Sequence, residues 1–279
     1  TTSIIADKIF NKLNIEKKGI YNISDGNFPN HQPDPAVSEN LNDLRQEVVN
    51  YQADIGIAFD GDGDRVGFVD EKGRIIPIEE YMIIMWRDIC DRVSNRKCLF
   101  DVKCSKALED ELLKLGVEPI CYRTGNSYTR AKTAELNIPL GGELSGHIYF
   151  RDRFKGYDDG IYNGIRLIEL LSNTDKNLSS LSEGINKYYN TQELKVEVTD
   201  NNKFKIIEKI EEYAKSMNYQ MLTIDGVKVK FPDCSSALVR ASNTTPCITL
   251  RFEAKTQERL QEIYNEFITK LNEIIKELA

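Results

Sequence analysis

Three aspartates alternate with two glycines in residues 59–65 (FDGDGDR), directly after an apolar run. Glycine at both intervening positions lets the backbone fold tightly enough for the three carboxylates to converge. Converged carboxylates repel one another unless a cation neutralises them, and all-oxygen ligand sets suit Mg²⁺ or Ca²⁺. The segment therefore predicts a divalent-cation site formed by Asp60, Asp62 and Asp64.

Three other interpretations of this segment compete with the metal site. An acidic turn without a metal would rarely need glycine at both positions. An EF-hand loop would use the three aspartates and Glu71, but Arg65 stands where that loop requires glycine, and predicted strands replace the flanking helices. A dinucleotide-binding fingerprint fails because the glycines do not follow the GxGxxG spacing.

Glu143, Ser145 and His147 alternate with small or apolar residues in the segment 141–147 (GGELSGH). In an extended loop, this period of two places all three side chains on one side. A carboxylate beside a hydroxyl suits the vicinal hydroxyls of a sugar, and a histidine can shuttle protons or bind phosphate. The alternative is a polar turn with a buried, hydrogen-bonded histidine.

Residues 240–246 (RASNTTP) lie between two predicted strands and carry one guanidinium and three hydroxyl groups. Such donors, together with the N–H groups of a turn, can surround a phosphate. An ordinary polar hairpin is the alternative.

Residues 101–105 (DVKCS) and 123–128 (RTGNSY) lie where predicted strands end and helices begin. Open α/β sheets bind ligands at such places. Lys103 is therefore a candidate for catalysis or phosphate binding, and a solvated lysine is the alternative.

Hydrophobic periodicity predicts two mixed α/β segments followed by an α+β segment, an antiparallel sheet with helices on one face. We divide the chain at 1–77, 78–187 and 188–279. The expected helices are 3–14, 38–51 (with Ser38 as N-cap), 78–93, 104–115 (ending at Gly116), 127–136, 158–172, 202–217 and one from 256 onward. The expected strands are 19–24, 54–59, 65–69 (followed by a hairpin turn at 71–73), 97–102, 117–122, 193–198, 221–231, 236–241 and 247–254. The apolar run 54–59 is typical of a parallel sheet.

Composition excludes several classes of protein. The 279 residues include 37 Lys and Arg against 44 Asp and Glu, and this net charge of −7 disfavours nucleic acid and anionic membranes as partners. No run approaches the roughly 20 apolar residues of a membrane span, and no signal-peptide pattern is present. Six cysteines without a CxxC pair predict free thiols and a cytoplasmic location. With only His31 and His147, a histidine-rich metal site is disfavoured.

In chain order, these loops resemble the α-D-phosphohexomutase superfamily, and within it the bacterial phosphomannomutase/phosphoglucomutase group. Residues 27–35 (NFPNHQPDP) and 59–65 resemble the second domain of the family, 142–147 its sugar-recognition loop and 240–246 its phosphate loop. The resemblance covers nearly the whole chain.

The resemblance implies phosphoryl transfer between the 1- and 6-positions of hexose phosphates, through a phosphoserine and a hexose 1,6-bisphosphate that also acts as activator. It implies Mg²⁺ on the three aspartates, and contacts of Glu143 and Ser145 with the 3- and 4-hydroxyls. Glucose and mannose share those hydroxyls, so both sugars should be accepted. It further implies a clamp for the non-reacting phosphate, formed by Arg240, Ser242, Asn243 and Thr244. The catalytic candidates are Lys103, His147 and Arg65.

Two departures from the family pattern bear on function. Asn126 stands where the group commonly has histidine; it is a candidate for substrate binding, but it cannot titrate. The Thr-Ala-Ser-His-Asn-Pro loop that carries the reactive serine does not occur. We therefore expect the C-terminal part of a mutase, monomeric and inactive alone, with hexose phosphates and a separate N-terminal fragment as partners. One alternative is a phosphoglucosamine or phosphoacetylglucosamine mutase; Leu144 disfavours the phosphoglucosamine mutase, because the family usually has glutamine at that position. The other alternative is a non-catalytic fragment that binds Mg²⁺ and phosphosugars.

Overall fold

The structure is a computed structural model that describes residues 2–278. It divides into two compact units. Unit 1 contains the described residues up to 100 together with 111–120 and 126–185, and unit 2 contains 101–110, 121–125 and the described residues from 186 on. The three-part division at 77 and 187 stays a prediction. Among residues 2–278, no helix has the length and apolar character needed to cross a membrane.

Unit 1 begins with a small sheet flanked by helices. Its elements are helix α1 (Thr2–Phe10), a 3₁₀ helix (Ser38–Leu41), helix α2 (Asn42–Tyr51) and strands β1 (Ile55–Phe59), β2 (Val66–Asp70) and β3 (Ile75–Ile76). The strand order is β1-β2-β3, and both pairings are antiparallel. Residues 60–65, called the metal loop because they carry the three predicted metal ligands, connect β1 to β2.

A second sheet with its helices follows along the chain. Its strands are β4 (Lys97–Asp101), β5 (Glu118–Tyr122), β6 (Leu140–Gly142) and β7 (Ile148–Phe150), in the order β5-β4-β6-β7. β4 pairs with β6 in parallel, and β6 pairs with β7 in an antiparallel hairpin. The helices are α3 (Ile78–Ile89), α4 (Lys106–Lys114), α5 (Asn126–Glu135), α6 (Gly160–Ser172) and α7 (Leu178–Leu181). Helix α3 is apolar on nearly every side and is accordingly buried, with Tyr81 and Trp86 fully inaccessible.

Three local expectations for unit 1 were wrong. The strand at 19–24 is absent from the described structure: Tyr21 has a φ of 56° and Ile23 is 90% exposed, and the stretch has no strand conformation. Ser38 lies inside the 3₁₀ helix and caps nothing. The continuous apolar pattern of β1 does not mark a parallel strand: β1 pairs with β2 in an antiparallel arrangement, and although α2 and α6 pack on β1, most of its residues are only half-buried.

Unit 2 is built around one antiparallel sheet. Its elements from residue 186 on are β8 (Tyr189–Asn190), β9 (Leu194–Glu197), α8 (Asp200–Ser216), β10 (Gln220–Leu222), β11 (Val227–Lys230), β12 (Ser236–Ala241), β13 (Cys247–Ala254) and α9 (Gln257–Leu278). The order is β10-β11-β12-β13-β8, and β9 also pairs with β13. The strand expected over 221–231 is therefore two strands, which pair with each other across a turn.

The two faces of this sheet have different roles. Val239, Leu250 and Phe252 on one face pack with Ile210 of α8 and Phe267 of α9 in a single buried cluster. Because side chains alternate along a strand, the neighbouring residues of β12 and β13 point to the other face. This arrangement confirms the expected α+β segment with helices on one face.

The six cysteines are free, as expected, although Cys121 and Cys234 are only half-buried.

Candidate active site

The metal loop of unit 1 gathers its three carboxylates. One oxygen from each of Asp60, Asp62 and Asp64 lies within 4.8 Å of the others. Asp60 is 4% exposed, and its Oδ1 accepts hydrogen bonds from the backbone N–H groups of Gly63 at 2.9 Å and Arg65 at 3.2 Å. Glycine is favoured at position 63 because the φ of Gly63 is 85°, whereas the φ of Gly61, the other glycine of the loop, is not positive.

The electrostatics of this cluster fit a divalent cation. Burial and the hydrogen bond to Asp60 raise the pKa of Asp64 to about 6, so Asp64 retains a proton more readily than a free carboxylate. Burial also opposes ionisation of Asp60, but hydrogen bonds from Arg65 outweigh it and lower the pKa of Asp60. Asp62 is exposed. Oxygen donors that repel one another in one cluster are a suitable ligand set for Mg²⁺.

Arg65 holds the loop through two ion pairs. Its Nε donates to Asp60 Oδ2 at 2.8 Å, and its Nη1 donates to Asp34 Oδ1 at 2.9 Å. The sequence analysis did not single out Asp34, although it lies in the segment 27–35. The guanidinium therefore lies between two carboxylates and links that segment to the metal loop.

The turn between β6 and β7 carries the two predicted sugar-binding residues, Glu143 and Ser145, and the catalytic candidate His147. Glu143 N donates to His147 O at 2.8 Å, and Gly146 N donates to Glu143 O at 3.0 Å. The expected extended conformation was wrong: the loop is a tight turn, in which Gly146 has a φ of 104°. A β-bridge between Arg65 and His147 attaches this turn to the end of the metal loop.

The side chains of Glu143 and Ser145 differ in burial. Glu143 is 2% exposed, and its Oε1 accepts a hydrogen bond from Thr129 of α5, a residue that the sequence analysis missed. Ser145 is half-buried.

His147 lies among carboxylates. Its Nδ1 is 3.1 Å from Asp158 Oδ2 and 3.7 Å from Asp64 Oδ2. Burial alone would lower the pKa of His147, but the hydrogen bond to Asp158 and the charge of Asp64 outweigh it, so its pKa is raised. Asp158 was also missed; the signal in the sequence was an acidic pair before α6, in which Asp159 is the N-cap.

Asn126 begins α5 and reaches the same carboxylate. Its Nδ2 donates to Asp158 Oδ2, and its Oδ1 accepts from the hydroxyl of Tyr149 at 3.3 Å. The structure thus brings Asn126 together with His147 rather than leaving its amide free toward a ligand.

In unit 2, Arg240 is oriented by a buried ion pair. It is 4% exposed; its Nε donates to Asp225 Oδ2 at 3.0 Å, and its Nη1 donates to Thr249 Oγ1 at 3.5 Å. Asp225 Oδ2 also accepts from the backbone N–H of Thr124 at 3.0 Å. Asp225 therefore links Thr124 to Arg240 within unit 2.

The rest of the phosphate loop is a turn organised by Ser242. Its Oγ lies 2.8 Å from the hydroxyl oxygen of Thr245 and accepts from Thr245 N at 3.2 Å. Asn243 and Thr244 are exposed at the tip, and Asn243 Nδ2 donates to Thr124 O at 3.4 Å.

Lys103 is the second positively charged residue predicted for the site in unit 2. Its Nζ lies 3.3 Å from Glu193 Oε2 and 3.8 Å from Asp101 Oδ2. Burial would lower the pKa of Lys103, but these carboxylates raise it, so the ammonium form persists at neutral pH. A persistent ammonium favours binding of an anion over acceptance of a proton.

Comparison with known proteins agrees with this geometry. Three domain models of phosphoglucomutase/phosphomannomutase match the chain: α/β/α domain II at residues 1–73, α/β/α domain III at 78–188 and the C-terminal domain at 193–270. They follow one another in the same order as the loops described above.

Individual relatives give the same result. A phosphomannomutase/phosphoglucomutase of Pseudomonas syringae pv. tomato is 40% identical over 275 residues, which are 99% of this chain and 59% of that protein. A phosphoglucomutase of Neisseria gonorrhoeae is 39% identical over 264 residues, 94% of this chain and 57% of that protein. The crystal structure of a phosphoglucomutase/phosphomannomutase family protein from Burkholderia thailandensis superimposes with a TM-score of 0.88 at 38% identity, over 98% of this chain and 58% of the other. The chain thus spans less than two thirds of each of these relatives, and it belongs to the phosphoglucomutase/phosphomannomutase family, within the α-D-phosphohexomutase superfamily.

Proposed function

We propose that this chain provides the metal-binding, sugar-binding and phosphate-binding parts of a phosphomannomutase/phosphoglucomutase. Such an enzyme moves a phosphoryl group between the 1- and 6-positions of a hexose phosphate. The observation that best supports this is the β-bridge between Arg65 and His147, because it attaches the sugar-binding turn to the aspartate cluster. A cation site beside a hydroxyl-binding turn is what phosphoryl transfer to a sugar requires.

The residues of unit 1 divide the chemistry among them. Mg²⁺ held by Asp60, Asp62 and Asp64 would supply positive charge beside the transferring phosphoryl group. Glu143 and Ser145 hold the 3- and 4-hydroxyls of the sugar. His147 Nε2 accepts the proton of the hydroxyl that attacks phosphorus, and returns it in the reverse direction.

The residues of unit 2 bind the phosphate that is not reacting. Arg240 presents a guanidinium held in place by Asp225, and the turn at Ser242, Asn243 and Thr244 adds neutral donors. Lys103 adds a positive charge and acts as an electrostatic rather than a proton-transfer group.

The phosphoryl donor would be a phosphoserine, and no Thr-Ala-Ser-His-Asn-Pro loop occurs among the 279 residues. We therefore expect these residues alone to bind hexose phosphates weakly and not to interconvert them. Turnover needs a polypeptide that carries the phosphoserine. Closure of all domains around the substrate then excludes water from the reaction.

A coupled assay with and without that polypeptide tests the proposal. We expect comparable turnover of glucose 1-phosphate and mannose 1-phosphate, and rejection of galactose 1-phosphate, which is epimeric at C4. Glu143→Gln should lower turnover, while the exposed Glu118→Gln serves as a matched control. Binding of Mg²⁺ and phosphosugar without turnover in any combination would instead favour a non-catalytic binding protein, and preference for glucosamine phosphates would favour an amino-sugar mutase.

A further inference from the structure

The side-chain amide of Asn126 is held from both ends. The hydroxyl of Tyr149, which is fully buried, lies 3.3 Å from Asn126 Oδ1 and 3.4 Å from the backbone oxygen of Asn126, and its one proton is shared between these two acceptors. Asn126 Nδ2 donates to Asp158 Oδ2 at 2.5 Å. A phenol hydroxyl is a donor and a carboxylate only an acceptor, so these two neighbours require the NH₂ group of the amide to face Asp158.

The same oxygen of Asp158 also faces His147. The distance from Asp158 Oδ2 to His147 Nδ1 is 3.1 Å, and the side chains of Asp158 and His147 are 8% and 14% exposed. A carboxylate oxygen offers no proton, so Nδ1 must carry one to form this hydrogen bond. The neutral imidazole is then the Nδ1–H tautomer, whose free electron pair is on Nε2.

The surroundings of the ring agree with this assignment. The hydrogen bond with Asp158 alone assigns the proton to Nδ1, because Asp158 Oδ2 lies 3.1 Å from that nitrogen. Within residues 2–278, no hydrogen bond from the protein is formed with Nε2. Nε2 is thus available to a ligand or to water.

We propose that Asn126 is a positioning residue, which anchors Asp158 and thereby keeps His147 in the Nδ1–H tautomer with Nε2 free as a proton acceptor. The link runs through hydrogen bonds from Tyr149 to Asn126, from Asn126 to Asp158 and from His147 to Asp158. A carboxylate that orients a histidine and selects its tautomer is a recurrent device in catalytic sites. Only the use of Nε2 as a base rests on the proposed function; the tautomer does not.

Nuclear magnetic resonance of the 279-residue chain with ¹⁵N-labelled histidine tests the tautomer directly. The sequence contains only two histidines, so His31→Gln assigns the signals of His147. Above the titration range of His147, the proposal requires a protonated-type Nδ1 and an unprotonated-type Nε2. A wild-type spectrum with Nε2–H as the major form would overturn it.

Variants test the role of Asn126 itself. Asn126→Asp keeps the size but replaces the donor with a second carboxylate, and we expect the ratio of Nδ1–H to Nε2–H to fall on the order of tenfold, since hydrogen bonds to charged groups are the strong ones. The matched control is Asn14→Asp, an exposed position with the same change of charge, which should leave the ratio unchanged. An unchanged ratio in Asn126→Asp would refute the positioning role. If that variant does not fold, Tyr149→Phe removes only the hydroxyl that orients the amide; a lower ratio supports the role, and an unchanged ratio refutes it.

Turnover separates this inference from the proposed function. In the assay with the phosphoserine-bearing polypeptide, Asn126→Asp should lower kcat on the order of tenfold and leave KM nearly unchanged, because the tautomer affects the reacting proton and not the binding groups. A rise in KM with kcat unchanged would contradict the positioning role. If the spectra follow the expectation but no preparation shows mutase activity, the tautomer stands and the proposed function fails.

Discussion

Gly146→Ala is expected to separate the sugar-binding turn from the metal loop. Gly146 has a φ of 104°, and a Cβ added there would lie 2.8 Å from Val66 O and 3.2 Å from Val66 N. Val66 begins β2, directly after the metal loop, and its N–H donates to Gly146 O at 3.3 Å. The substitution must therefore displace the turn from that strand.

Two costs add at this position. A left-handed backbone costs a residue with a Cβ roughly 1–2 kcal/mol relative to glycine. Forcing a methyl group against backbone atoms, which cannot rotate away, costs about 1–3 kcal/mol as overpacking does. The sum is about 2–5 kcal/mol, which for a unit of this size lowers the melting temperature by roughly 2–4 °C per kcal/mol.

Two other glycines of unit 1 separate these costs. Gly184 has a φ of 79° with nothing within 4 Å of the added Cβ, so Gly184→Ala carries only the backbone cost. Gly26 has open space and no positive φ, so Gly26→Ala should be neutral or slightly stabilising.

Thermal unfolding of the three variants, followed by circular dichroism, is the assay. We expect the melting temperature to fall in the order Gly26→Ala, Gly184→Ala, Gly146→Ala, with the last the lowest. Calorimetry with a hexose phosphate should also show weaker binding by Gly146→Ala. If Gly146→Ala were as stable as Gly184→Ala, the close approach of the turn to Val66 would carry no energy, and the reasoning would fail.

Three further outcomes are expected. Asp62→Asn should weaken Mg²⁺ binding on the order of tenfold in calorimetry without changing the melting temperature, because Asp62 is exposed; equal affinity would contradict the metal assignment. Asp225→Asn should destabilise unit 2 by about 3 kcal/mol in urea unfolding, since it leaves the buried Arg240 without a counter-ion, and a loss below about 1 kcal/mol would argue against that ion pair. Phe267→Ala should cost about 3–5 kcal/mol in the same measurement, because its ring is fully buried between α9 and the sheet; a loss near zero would mean that this core is loosely packed.

Features that depend on local pattern were predictable from the sequence. The helix expected from 256 onward carries apolar residues at helical spacing between 260 and 278, which predicts one apolar face because the period is 3.6 residues. Four of these residues, Ile263, Phe267, Leu271 and Ile274, are buried in α9. The alternation of apolar and polar residues in 247–254 predicts an antiparallel strand with one solvated face. β13 is antiparallel, but every position except the half-buried Arg251 is buried, so the expected solvated face was wrong. The spacing of Asp60, Asp62 and Asp64 likewise predicted that their carboxylates converge, because the three residues are only two positions apart in the chain.

Strand direction and strand pairing were harder to predict from the sequence. The apolar run at 54–59 predicts a strand of a parallel sheet, but β1 is antiparallel and mostly half-buried, with α2 and α6 packed against it. The stretch 19–24 has a strand-like composition but is not part of any sheet among the described residues, and a strand is stable only through its pairing. A single sequence specifies neither property, because both depend on which distant segments pack nearby.

Residue types and their spacing were enough to identify the segments predicted to carry the chemistry: the metal loop, the sugar-binding turn and the phosphate loop. The side chains that contact these segments depend on tertiary packing. Asp158 meets His147 and Asn126, and Asp225 meets Arg240, only because different elements pack together, and no periodicity in the chain announces these contacts. The physical reason is one of range: backbone pattern acts over a few residues, whereas the protonation and orientation of a side chain are set by whichever charges lie within a few ångströms in space.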